Sequence, residues 1–147
     1  MRPHARRGNR RSMTAPDTPP AARLLVDCLI EQGCDRIFTV PGESFLQVLD
    51  GLGQQDAIQL VTCRQEGGVS FMACADGTMT GRPGIAFVTR GPGATNALTA
   101  VAGAWIESVP LLIISGQVKR ADMKADSGVR QMGPQEVDIV SMVKPVT

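Results

Sequence analysis

The chain has 147 residues, enough for one domain of ordinary size, and its 43% hydrophobic content can fill a core, which argues against global disorder. Aromatics are scarce (four Phe, one Trp, no Tyr), so few side chains are available to stack on single-stranded nucleic acid. The net charge of +1 hides an asymmetry. Five Arg and no acid stand in residues 1–12, and the remaining residues carry ten basic and fourteen acidic side chains, which gives no footprint for DNA or RNA.

The leader "MRPHARRGNRRS" lacks the apolar stretch of a signal peptide, so export is not expected. An Arg-rich segment without acids suits a transit peptide or a nucleic-acid tail, and a start codon assigned upstream of Met13 would produce the same residues. Residues 1–20 are polar and rich in Pro and are expected to lack structure.

"AARLLVDCLIEQG" follows, with apolar residues at 24, 25, 28 and 29 and Gly33 at its end, an amphipathic helix with a glycine stop. "DRIFTV" reads as a strand broken by Pro41-Gly42, and "SFLQVLDGLG" as a helix with Ser44 at its N-cap and Phe45, Val48, Leu49 and Leu52 on one face. "IQLVTC" is the second strand, "EGGVSFMACADGTMTG" a helix of small residues, and "GIAFVT" a third strand followed by the loop "RGPGATN". "ALTAVAGAWIES" places Leu98, Val101, Ala102, Trp105 and Ile106 at helical spacing, and "PLLIIS" is a fourth strand. "QVKRADMKADSGVRQMG" is polar and irregular. A helix over "PQEVDIVSMV" and the start of a strand at "KPVT" complete the expectation.

The order αβαβαβαβα, with apolar strands, predicts a doubly wound parallel α/β sheet covered by helices on both faces. Right-handed crossovers then gather the loops "VPGES", "CRQEGG", "TRGPGATN" and "SGQV" at one edge, where ligands of such folds bind.

Several chemistries are poorly supported by this sequence. Neither GxGxxG nor GxxxxGK[ST] occurs, so the common nucleotide loops are missing. The only His is His4, in the leader, which leaves no partner for a Ser or Cys nucleophile within the fold. Cys28, Cys34, Cys63 and Cys74 form no CxxC and have no His nearby, so no metal site is expected and the thiols suit a reduced, cytoplasmic protein. No apolar run approaches the ~20 residues that span a membrane.

Acid–base work therefore falls to carboxylates, lysines or a cofactor's own groups. Glu66 stands out, directly after an apolar run and before two glycines. One reading is structural, an acid favoured in the first turn of a helix. The other is a carboxylate at the ligand edge that exchanges one defined proton or hydrogen bond. "RGPGATN" has two readings as well: it can present backbone N–H groups to an anion, or it is a turn that caps a helix.

Taken in order, "FTVPGES", "RQEGG", "ACADGTMTGRPGIAFVTRGPGATNAL", "ESVPLLIISGQV" and "RQMGPQEVDIVSMVKPVT" resemble the N-terminal pyrimidine-binding domain of thiamine-diphosphate enzymes. The resemblance is to the acetolactate (acetohydroxyacid) synthase branch and covers about residues 21–147. It implies that Glu66 is the catalytic acid that hydrogen-bonds N1′ of the aminopyrimidine, favouring the imino tautomer whose N4′ deprotonates thiazolium C2. The whole enzyme would decarboxylate a 2-keto acid and condense the enamine with a second carbonyl. Pro41, Gly42, Gly91, Pro92, Gly93, Ala94, Thr95 and Asn96 would lie beside the cofactor. Gln117 and Gln135 would face the catalytic region or a subunit contact.

The sequence departs from the family pattern in places. Gln65 stands where the family often has His, and Pro134 where synthases usually have Phe, which bears on the carbonyl acceptor. No "GDG" occurs, so diphosphate and Mg²⁺ ligands are expected from a further domain, and the central domain leaves FAD open. The resemblance implies a homodimer, a tetramer or pairing with a diphosphate-binding domain. Three readings remain at this point: part of a split or truncated enzyme, an interaction module without turnover, or a gene fragment whose "KPVT" stops within an element.

Overall fold

The computed structural model describes residues 20–147, and the expectation for the leader lies outside them. The strands are β1 (Arg36–Thr39), β2 (Gln59–Thr62), β3 (Gly84–Val88) and β4 (Leu111–Ser115), all parallel in the order β2-β1-β3-β4. The helices are α1 (Pro20–Glu31), α2 (Leu46–Gly53), α3 (Glu66–Thr80), α4 (Pro92–Thr95), α5 (Leu98–Glu107) and α6 (Ile139–Val143). This is the expected α/β class. The strand order reverses between β1 and β3, and a switch point of that kind opens a crevice at the C-terminal ends of the strands.

Alternation along the central strands divides the core into two layers. Ile37, Ile85 and Phe87 join Val26, Leu29, Phe45, Leu52 and Ile58 on the α1–α2 face, where the Phe45 and Phe87 rings meet edge to face at 5.9 Å. Phe38, Ala86 and Val88 join Val69, Ala73, Ala94 and Ala97 on the α3–α5 face. The second layer consists mostly of small side chains, which lets α3 lie close to the sheet. A Cβ at Gly84 would overlap the Ala73 carbonyl, and one at Gly77 would overlap the Pro110 carbonyl. Thr39, fully buried, donates its hydroxyl proton to the Phe87 carbonyl at 3.0 Å, so the one polar side chain at this point of the β1–β3 seam is satisfied.

Several expectations are corrected by packing. Helix α1 exists and Gly33 follows it at φ +76°, but the buried residues are Ala22, Val26 and Leu29, while Leu24 and Cys28 are exposed. In α5 the buried residues are Ala100 and Ala104. Leu98, Val101 and Trp105 instead line an apolar groove of about 960 Å³ against β4 and α6, and Ile106 is exposed. Alanine is what the close α3–α5 contact accommodates. Edge strand β2 is largely exposed, so only β1 and β3 have the continuous burial expected of every strand. Ser44 is not a helix cap: it lies within a 3₁₀ turn over Glu43–Phe45, and its hydroxyl meets that of Thr89 at 2.9 Å.

The chain end also differs from expectation. Helix α6 begins at Ile139, capped by Asp138, whose carboxylate accepts from the Ser141 N–H at 3.1 Å. It cannot begin at Pro134, because Gln135 has φ +58° and interrupts any helix there. Lys144–Val146 form a 3₁₀ turn, not a strand. The four cysteines are free, and no group of three or more His, Cys, Asp and Glu among the described residues could hold a metal. No described helix is long and apolar enough to cross a membrane.

Candidate active site

The loops that follow the four strands meet at the C-terminal edge of the sheet. Thr89, the first residue after β3, is their common wedge. A Cβ at Gly42 would come within 2.5 Å of the Thr89 Cβ, and one at Gly93 within 2.5 Å of the Thr89 Cγ2. Ser44, bonded to Thr89, presses in turn on Gly116, where any Cβ would overlap the Ser44 Oγ. The glycines of three loops are thus needed for close approach, and larger residues would hold the loops apart.

Glu66 lies at the start of α3 and is half-buried. The capping role belongs to its neighbour: the Gln65 side chain accepts from the Gly68 N–H at 2.7 Å. Glu66 is therefore free of that duty, and its carboxylate reaches across to the loop after β3. Asn96 Nδ2 donates to Glu66 Oε2 at 3.1 Å, a contact 30 residues distant in sequence. Oε1 takes no hydrogen bond from the described residues. It borders Gly93, where a Cβ would stand only 3.3 Å away. One carboxylate oxygen is held by Asn96, and the other borders Gly93 without such a bond.

Three amides of the turn and the short helix after it are used internally. Gly93 N–H donates to the Arg90 carbonyl at 3.3 Å, and Thr95 and Asn96 N–H donate to the carbonyls of Gly91 and Pro92, each at 3.0 Å. This is the capping-turn reading of "RGPGATN", and those amides are not turned outward to an anion. Gly91 has φ +59° and abuts the backbone of Gln135. Any side chain at 91 would be strained in its backbone and would strike Gln135.

The segment after β4 folds back over this turn. Gln117 Nε2 donates to the Val137 carbonyl at 3.3 Å, and Gln117 Oε1 accepts from the Val118 N–H at 2.9 Å. Gln117 and Gln135, both exposed, thus lie in the same loop cluster as Gly91. Pro41 and Pro92 are exposed at the rim.

Two residues that sequence reasoning passed over organise this segment. Glu136, 8% exposed, accepts from the backbone N–H groups of Lys124 at 2.8 Å and Met132 at 2.9 Å. Those bonds, Met132's foremost, hold its carboxyl below the usual range. Arg90, its side chain 12% exposed, donates through Nε to the Pro134 carbonyl at 2.9 Å and through Nη2 to Glu43 Oε2 at 3.1 Å. The one available sequence signal was an arginine, which seldom hides from water, standing between an apolar strand and a glycine turn. Glu136 had no such signal, because its partners are backbone amides of the irregular segment just before it, which no side-chain pattern marks.

Residues 20–142 match the family described as thiamine pyrophosphate enzyme, N-terminal TPP binding domain. The chain belongs to this family. It is 37% identical over 126 residues to an acetolactate synthase of Bacillus subtilis (strain 168), a match that covers 86% of this chain and 21% of the relative. It is 38% identical over 125 residues to the acetolactate synthase isozyme 3 large subunit of Escherichia coli (strain K12), with coverage of 85% and 21%. The chloroplastic acetolactate synthase of Arabidopsis thaliana is 36% identical over 137 residues, with coverage of 92% and 20%. The chain spans about a fifth of the length of these relatives.

The residues present fit the pyrimidine end of thiamine diphosphate. A carboxylate with one oxygen held by Asn96 and the other without a hydrogen bond can pair with a ring nitrogen. No cluster among the described residues fits the metal that a diphosphate would require.

Proposed function

We propose that this chain supplies the aminopyrimidine half of a thiamine-diphosphate site in an acetolactate synthase-like enzyme, with Glu66 as the carboxylate that pairs with the ring nitrogen. The observation that carries the reading is the asymmetry of that carboxylate: Asn96 holds Oε2, Oε1 is open beside Gly93, and Gln65 has relieved Glu66 of capping. When bound, the cofactor supplies the electron sink for decarboxylating a 2-keto acid and joining the remainder to a second carbonyl. Glu66 Oε1 holds or receives a proton at the ring nitrogen, and Asn96 keeps the carboxylate from turning away. Pro41, Gly42 and the turn over Gly91, Pro92 and Gly93 border that contact and would lie beside the ring. Gln117 and Gln135 border the same opening and are placed to meet a substrate or an adjoining subunit.

A further domain, in a partner or a longer polypeptide, supplies the diphosphate and Mg²⁺ contacts, and any FAD would also lie outside these residues. In this reading the pyrimidine domain occupies residues 21–147 and acts only when paired. Purified chain given thiamine diphosphate, Mg²⁺ and pyruvate should release no carbon dioxide. With a diphosphate-binding domain supplied in trans, calorimetry should detect thiamine diphosphate binding, and Glu66→Gln should weaken it at least tenfold with an unchanged circular dichroism spectrum. Wild-type affinity in Glu66→Gln would refute the assignment.

The groove of about 960 Å³ beside β4, with Trp105 and Ile106 exposed near it, favours a second reading, an association module without turnover. Light scattering over a concentration series should then reveal self-association, and a monomer throughout would exclude it.

A further inference from the structure

The strongest unassigned feature is Arg90, a cation largely withdrawn from water at the mouth of the candidate site. Its guanidinium spans two separate elements. Nε binds the Pro134 carbonyl at 2.9 Å, and Nη2 binds Glu43, which follows β1, at 3.1 Å. Glu43 is 79% exposed, so its ion pair is screened, and the shorter bond to the Pro134 carbonyl is the firmer anchor. Lysine cannot reproduce this geometry, since a single ammonium lacks the planar fork that reaches both partners.

The consequence follows along the chain. Arg90 begins the turn in which Gly91 abuts Gln135, Gly93 borders Glu66 Oε1, and Asn96 grips Glu66 Oε2. One turn thus carries the clamp at its start and both contacts to the carboxylate further on. Arg90 also supplies the carbonyl that accepts the Gly93 N–H at 3.3 Å, so a shift of its backbone moves Gly93 directly.

We propose that Arg90 is a positioning residue for the Glu66 carboxylate: by clamping Pro134 and Glu43 it fixes the Gly91–Asn96 turn, and through Asn96 and Gly93 it sets where the open oxygen points. This rests on the reading of Glu66 given above. The geometric part can nevertheless be tested without cofactor.

The test uses the full chain, labelled with ¹⁵N and with ¹³C-methyl groups, as wild type, Arg90→Lys, Arg90→Ala, Glu43→Gln and Glu66→Gln. The side-chain amide of Asn96 reports its bond to Glu66, and the methyls of Val69 and Val88 report the core. Arg90→Lys and Arg90→Ala should move the Asn96 amide to the position seen in Glu66→Gln, with the core methyls unchanged. Glu43→Gln should leave it near wild type, because the Pro134 bond persists. With a diphosphate-binding domain supplied, both Arg90 variants should bind thiamine diphosphate roughly tenfold more weakly, the scale of one lost charge-assisted hydrogen bond.

An Asn96 amide unmoved in Arg90→Lys would overturn the proposal. So would loss of the core methyl pattern in that variant, since Arg90 would then be a general stabiliser. Failure of the Glu66 reading is a separate outcome: wild-type cofactor affinity in Glu66→Gln, with the Asn96 amide still responding to Arg90.

Discussion

The two ends of the sheet solve the problem of chain crossing in opposite ways. At the end where strands begin, charges close on one another. Arg82 donates to the Gly33 carbonyl at 3.0 Å and to Asp35 at 2.9 Å, and Arg36 reaches Asp35 and Asp76, each at 3.2 Å. At the end where strands finish, glycines bring loops together, and one carboxylate keeps an oxygen uncommitted. The first arrangement spends its polar groups on holding the chain in place. The second leaves one available to a ligand, and that difference separates a scaffold edge from a reactive one.

Substitutions at the two ends should therefore fail differently. The largest effect is expected for Gly84→Ala, where the new methyl would overlap the Ala73 carbonyl. Thermal unfolding should reveal a loss of about 3 kcal/mol or more, and a melting temperature within a degree of wild type would contradict the close packing of α3 on β3. Gly91→Ala comes next. An alanine held at positive φ costs about 1–3 kcal/mol, and the clash with Gln135 should also raise amide exchange across residues 132–136. Unchanged exchange there would separate the turn from the segment above it.

Glu136 gives a pH-dependent test of the reactive end. Its folded pKa is depressed, so its contribution to stability is present above the ordinary value of 4.5 and is lost as pH falls through the lower folded value. Acidification should release the Lys124 and Met132 amides to exchange before the core opens, and Glu136→Gln should do so at neutral pH. Simultaneous exchange of loop and core in both experiments would mean that Glu136 does not govern the loop locally.

The smallest effect belongs to the scaffold edge. Asp35 is likewise depressed, first by its hydrogen bond from Arg82, so its contribution is present above the ordinary value of 3.8 and fades as pH falls through the lower folded one. The pair is exposed, and Asp35→Asn should cost less than about 1 kcal/mol, diminishing with salt. A loss of several kcal/mol would show that this edge is more than a screened surface network.

Much of this contrast could be read in the sequence, and the unreadable part has a common cause. The alternation of helices and strands follows from local apolar runs, which is why "GIAFVT" and "EGGVSFMACADGTMTG" were legible as β3 and α3. Glu66 was legible as an oddity because an acid interrupts an apolar-to-glycine junction. Its relation to Asn96 was not, since that bond links positions 30 residues apart. Local pattern alone makes Ser44 a cap, but its hydroxyl is claimed by Thr89, 45 residues away. The helix expected from Pro134 is pre-empted by Gln135, whose φ of +58° belongs to the turn seated on Gly91. Trp105 and Ile106 have helical spacing, but the tight α3–α5 approach selects alanines instead. Local pattern identifies the elements, and long-range contacts decide which side chains they present.

The small-residue seam between α3 and the sheet also makes that helix a lever. Gly77 and Ala73 set its height at one point, where the Pro110 carbonyl leaves no room for a methyl on Gly77 and the Ala73 carbonyl leaves none for a methyl on Gly84. Glu66 lies at the far end, roughly 16 Å along the helix axis from Gly77. A tilt of a few degrees at the seam would swing the carboxylate by about 1 Å, enough to part it from Asn96. Packing deep in the layer and aim at the rim are therefore a single mechanical quantity, and a methyl group placed far from any ligand would be felt as a misdirected acid.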